Sequence, residues 1–112
     1  MNKDIVNDFL ERNRKIVRVG SSEFLELRPY IKCEDGFEMS LQASNFHYCA
    51  PRNNDGPYTK IEIGYPSEIE LMLLPFAEEE VGFHCVYPFV PTEVANEVIR
   101  KHGGLIKEDT DE

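Results

Sequence analysis

Residues 37–52, FEMSLQASNFHYCAPR, carry the pattern that decides the fold. Phe37, Met39, Leu41 and Ala43 alternate with Glu38, Ser40, Gln42 and Ser44. Successive side chains of a strand point to opposite faces, so this period of two predicts a strand with one buried face. At Asn45 the alternation changes phase, and Phe46 and Tyr48 continue the formerly polar side. Either a bulge near Ser44-Asn45 or a strand end covered on both faces would produce that change. His47, Tyr48, Cys49 and Arg52 crowd the end of the strand, where the turn-forming run Pro51 to Pro57 begins.

On the N-terminal side, Asp35-Gly36 is a hairpin signal, because both central residues of a tight turn need positive φ. It ties the central strand to a preceding one over Phe24 to Cys33. In that strand Leu25, Leu27, Pro29, Ile31 and Cys33 share a face against Glu26, Arg28, Tyr30 and Lys32. Pro29 removes a ladder donor and marks an edge or a bulge. Ile16, Val17 and Val19 make a short β-branched segment closed by Gly20-Ser21-Ser22. Asn2 to Arg14 reads as a helix capped by Asn2, with Ile5, Val6, Phe9 and Leu10 as its apolar stripe.

On the C-terminal side, Tyr58 to Tyr65 alternates as a further strand. Ser67 and Glu70 form a capping box ahead of a short helix stopped by Pro75. Val81 to Val90 reads as a strand with Phe83, Cys85, Tyr87 and Phe89 on one side, and Pro88 marks an edge or bulge. Thr92 caps a final helix whose stripe is Val94, Ala95, Val98 and Ile99, ended by Gly103. Leu105 and Ile106 add a short strand. The expected fold is α+β: an antiparallel meander of four to five strands, with an N-terminal and a C-terminal helix packed on it. A single domain spans residues 1–107, and 108–112 form an acidic tail.

Composition narrows the function. The chain has 112 residues, enough for one hydrophobic core. A net charge of −9 argues against direct nucleic-acid binding, which needs a basic footprint, and favours association with a basic surface. The N-terminus is too polar for a signal peptide and no apolar run approaches a membrane span, so a cytoplasmic location is expected. Three cysteines without a CxxC pair read as buried thiols.

No Gly-rich phosphate loop, HExxH or nucleophile elbow is present. Cys49 beside His47 suggests a nucleophile and base, but no third group orients them, and a non-enzymatic chain is the expectation. His47, Cys49, His84 and Cys85, with Cys33 and His102 in reserve, offer zinc ligands from two strands. Against that, His84 and Cys85 face opposite sides, so the expected set of cofactors is none. The aromatics Phe46, Tyr48, Tyr58, Tyr65, Tyr87 and Phe89 gather near strand ends beside His47 and Arg52, a composition suited to a binding surface. The alternative is a small core built from aromatics with their hydroxyls at the surface. Glu78, Glu79 and Glu80, with Asp109, Asp111 and Glu112 of the tail, supply negative charge. An exposed strand edge could also pair two copies into a homodimer.

Taken together, FEMSLQASNFHYCAPR, YTKIEIGYPS and VYPFVPTEVANEVIRKHGG resemble a family of small accessory proteins encoded by tailed phages and prophages. The resemblance covers about residues 23 to 106. It carries over no catalytic residue and no cofactor, and Tyr87-Pro88-Phe89 departs from the family pattern. It implies action inside an infected bacterial cell, as an inhibitor of a host defence protein in the manner of the anti-CRISPR proteins. The partner would be a nucleic-acid-binding effector whose basic surface the acidic chain covers. A second reading is an oligomeric binder that sequesters a nucleotide immune signal, with aromatic stacking and Arg52 on a phosphate. A third is a small zinc-stapled domain.

Overall fold

The computed structural model describes residues 4–78 and 86–106. Within them the chain runs α1 (Ile5–Arg12), β1 (Ile16–Val19), β2 (Ser22–Leu25), β3 (Ile31–Lys32), β4 (Glu38–Gln42) and β5 (Lys60–Gly64). A 3₁₀ helix (Leu71–Phe76), β6 (Val86–Pro91) and α2 (Thr92–Lys101) follow. β3, β4, β5 and β6 form an antiparallel meander in that order, while β1 and β2 make a separate hairpin. The architecture is the expected α+β one.

The central strand behaves as its alternation requires. Phe37, Met39, Leu41 and Ala43 are buried, and they join Ile31, Ile61, Ile63, Tyr87 and Val90 in one core under both helices. α1 contributes Val6, Phe9 and Leu10, and α2 contributes Ala95, Val98 and Ile99. Asp4 caps α1, accepting from the Asn7 backbone N–H at 3.1 Å; the proposed cap Asn2 lies outside the described residues. The helices are joined by a buried amide, because Asn96 accepts from the Val6 N–H at 2.8 Å and donates to Asp4 at 3.2 Å. An α2 side chain therefore satisfies a first-turn donor of α1 that has no partner within its own helix.

Several expectations need correction. First, Phe24 to Cys33 is not one strand. The ladder stops at Leu25 and resumes at Ile31, and the faces are inverted between them: Leu27 is 71% exposed and Arg28 only 3%. The Gln42 side-chain amide pairs with the Arg28 backbone in both directions, at 3.0 and 2.8 Å, and takes the place of a ladder neighbour. Second, beyond Ala43 the chain turns through residues 44–48 instead of continuing as strand. The phase change at Asn45 is therefore the end of β4, whose Gln42 is buried on the second face.

Third, Ser67 and Glu70 do not form a local capping box. Ser67 Oγ accepts from the Glu38 N–H at 2.9 Å, and Glu70 caps the 3₁₀ helix through the Met72 N–H at 3.1 Å. Thr92 likewise opens α2 without capping it, its hydroxyl donating to the Thr59 carbonyl at 3.4 Å. Fourth, Phe89 does not share a face with Tyr87. Ile61 pairs with Val90 and Ile63 with Tyr87, so Glu62 of β5 faces both Pro88 and Phe89 of β6. The extra residue is a bulge with Phe89 at φ +54°, which turns Val90 into the core and Phe89 outward. Pro88 thus sits on a strand that is both bulged and at the sheet edge.

Candidate interaction surface

The turn after β4 is built by Ser44. Its Oγ accepts from the Phe46 N–H at 2.9 Å and meets His47 Nδ1 at 2.7 Å. The turn pushes Phe46 out, leaving it 66% exposed. The following backbone docks onto β5 and β6: the Tyr48 N–H donates to Glu62 at 3.0 Å, and the Phe89 N–H donates to the Tyr48 carbonyl at 3.1 Å. These two bonds bring Tyr48 and Phe89 together, with ring centroids 5.9 Å apart and tilted by 45°. Arg52 lies over the other ring, its guanidinium carbon 5.6 Å from the Tyr48 centroid. Tyr48 and Phe89 each remain 44% exposed.

Two of these aromatics come from segments 41 residues apart, and the side-chain geometry is held by backbone. Phe89 carries a left-handed conformation that non-glycine residues seldom adopt, a cost of roughly 1–3 kcal/mol that persists where surrounding structure imposes it. The backbone beneath the two rings is therefore set by the fold itself. Arg52 and Glu62 frame the rings with one charge of each sign.

The remaining site residues separate. Tyr58 (4% exposed) and Tyr87 (0%) belong to the core, so neither can serve an exposed binding face. Tyr58 closes the 51–57 loop instead, donating from its hydroxyl to the Asn53 carbonyl at 2.8 Å. Tyr65 is exposed at the far end of β5, with φ +51°. Glu78 is exposed. Glu79, Glu80, His84, Cys85, Asp109, Asp111 and Glu112 lie outside the described residues.

Cys49 and His47 are not arranged for catalysis. The Cys49 thiol is buried and donates to the Ser44 carbonyl at 3.1 Å, and burial raises its pKa. His47 turns to the Ser44 hydroxyl, and burial lowers its pKa. A protonated thiol facing a carbonyl is a poor nucleophile. Cys33 is also a free buried thiol, pushed up to about 11 by burial and then by Asp35. Among the described residues no three His, Cys, Asp or Glu side chains are grouped to hold a metal ion.

Two buried polar clusters escape sequence reading. Arg28 donates to the Leu10 carbonyl from Nε and Nη2 (3.1 and 3.0 Å) and to the Ala43 carbonyl from Nη1 (2.6 Å). At the other end of β4, His102 bridges Asp35 through Nδ1 (2.6 Å) and Glu70 through Nε2 (2.7 Å), while Phe37 stacks on its ring at 4.1 Å. Neither leaves a motif: Arg28 shares the expected polar face with Glu26 and Lys32, and His102 stands immediately before the helix-ending glycine.

Comparison with protein-family models, with curated proteins and with solved structures finds no match. Among the described residues, no helix is long and apolar enough to cross a membrane.

Proposed function

We propose that the chain is a non-enzymatic binding protein that covers a basic surface of another protein through the Tyr48–Phe89–Arg52 cluster. The observation that carries this reading is the cluster itself: two exposed rings whose backbone is joined by a hydrogen bond at a strained bulge, with a guanidinium over one of them. Aromatic and arginine side chains held rigidly dominate binding energy at interfaces. The −9 charge supplies long-range attraction to a basic partner and disfavours acidic ones. The resemblance to small phage-encoded proteins makes that partner a nucleic-acid-binding component of a bacterial defence system.

The test is a pull-down from a defence-bearing bacterial host, repeated across a salt series with the wild type and a Tyr48→Ala/Phe89→Ala pair. A specific partner whose capture weakens with salt and is lost in the double variant supports the reading. Capture that ignores both salt and the two rings overturns it. Both side chains are exposed, so the double variant keeps its core.

A further inference from the structure

The same acidic chain carries a cationic corner. Residues 12–18, RNRKIVR, hold four basic residues and no acidic one. The β1–β2 hairpin that follows leaves none of its residues fully buried. Between this hairpin and the loop after β4 lies a cleft of about 730 Å³, lined by Arg14, Arg18 and Arg52 together with Asn45, Asn53 and Asn54. The loop wall is ordered by its own amides: the Asn45 N–H donates to Asn54 Oδ1 at 3.0 Å, and Asn53 Oδ1 accepts from the Asp55 and Gly56 N–H groups.

We propose that this cleft binds a phosphate-bearing small molecule, gripped through its phosphoryl oxygens by Arg14, Arg18 and Arg52. Guanidinium forks match phosphate oxygens, and amide N–H groups complete such a site. Two carboxylates also line it, Glu23 and Asp55, so three cations face two anions. Glu23 is already spent on Arg18 at 2.6 Å, in a pair whose side chains are 75% and 45% exposed. Exposed pairs of this kind are weak, and a phosphate displaces such a carboxylate readily. Arg14 is held at the rim by Glu11 (3.0 Å) and by the Asp55 carbonyl (3.1 Å). Arg52 makes no ion pair among the described residues and reaches from the cleft to the Tyr48 ring. Tyr48 does not line the cleft but adjoins it through Arg52, so a contact from a base attached to the phosphate is what comparison of ATP with pyrophosphate reads.

Calorimetric titration of the full chain with inorganic pyrophosphate, ATP and adenosine tests this site. Saturable binding of pyrophosphate and ATP is expected, with none for adenosine alone. ATP binding tighter than pyrophosphate identifies a nucleotide, and equal binding an inorganic ligand. Arg52→Glu should weaken binding about tenfold or more, whereas Glu23→Gln should tighten it by freeing Arg18. All these side chains are at the surface, and circular dichroism of each variant checks the fold. Absence of saturation, or binding that neither substitution changes, overturns the proposal. The Tyr48/Phe89 pull-down is read independently, so loss of one result leaves the other standing.

Discussion

β4 ends in a buried basic side chain at each end, and the two are held by opposite means. At its C-terminal end Arg28 donates to two carbonyl oxygens and lies against the Tyr58 hydroxyl, and no carboxylate pairs with it among the described residues. At its N-terminal end His102 sits between two carboxylates, with Lys101 sharing Glu70 at 2.8 Å. The Arg28 arrangement is tolerable because of where one carbonyl lies. Leu10 is in the last turn of α1, where carbonyls lack helical partners and the helix dipole is negative. The Arg14 N–H turns to the Glu11 carbonyl (3.3 Å), leaving Leu10 to the guanidinium. A helix end thus serves Arg28 as its counter-charge. The lesson is that one cluster is permanently ionised and the other titrates, although both pin the same strand.

The largest effect is expected at the permanent cation. Arg28→Met preserves volume but strands the Leu10 and Ala43 carbonyls without donors. Each buried acceptor left unpaired costs about 1–3 kcal/mol, offset in part by no longer burying a guanidinium. Burial already lowers the Arg28 pKa, with Arg14 adding to that and Tyr58 and Cys49 opposing it. A net loss of about 2–4 kcal/mol in urea unfolding is expected. A neutral outcome would show that α1 and β4 do not depend on this side chain, and would remove the comparison.

Glu70→Gln should cost less, about 1–2 kcal/mol, because the amide keeps one acceptor while losing charge against His102 and Lys101. The same denaturation experiment measures it. It should also return the His102 imidazole towards its ordinary pKa, a change that NMR titration of the ring would report. An unmoved titration would mean that Asp35 alone holds the imidazolium.

How much of this was legible depended on the range of the interactions. The Phe37–Ala43 alternation, the Asp35-Gly36 turn and the α2 stripe involve neighbours in sequence, and each reappears in the structure. Alternation with apolar Leu27 places Arg28 on the polar face. Its burial depends on Leu10 and Ala43, which lie 18 and 15 residues away. The Ser67–Glu70 capping box fails because Ser67 turns to the Glu38 N–H, and Glu70, besides capping the 3₁₀ helix, meets Lys101 and His102 about 30 residues on. Of the expected binding aromatics, Tyr48 lies on the turn beyond β4 and not on the strand that alternation extends to it. Alternation also gives Phe89 the wrong face, because a one-residue bulge inverts the pattern. The cleft arginines Arg14 and Arg18 left no motif, since only the hairpin's position opposite residues 45–55 makes them neighbours of Arg52.

The smallest effect is in pH dependence, and its sign separates the clusters most sharply. Burial works against charge on His102, but the hydrogen bonds it donates to Glu70 and Asp35 outweigh it and raise the pKa above 6.5. Its stabilisation is therefore complete below pH 6.5 and fades as pH climbs through the raised folded value. Burial likewise opposes charge on Glu70, yet Lys101, the Met72 N–H and His102 bring its pKa below 4.5. Asp35 is lowered chiefly by the Phe37 N–H and then by His102. Their share is present above the unfolded carboxylate values and is lost as pH falls through the folded ones. Cys33, raised to about 11, stays neutral throughout. His47, whose folded pKa burial lowers, loses stability as pH falls below 6.5, so the melting temperature should be highest near pH 6.5 and decline towards pH 8. His102→Gln should flatten the alkaline decline, whereas Arg28→Met should lower the curve and leave its slope above pH 6.5 unchanged, because Arg28 acts on His47 and not on His102. A wild-type curve that stays level from pH 6.5 to 8, or an Arg28→Met curve with an altered slope in that window, would show that the two ends of β4 are not the distinct devices their partners make them.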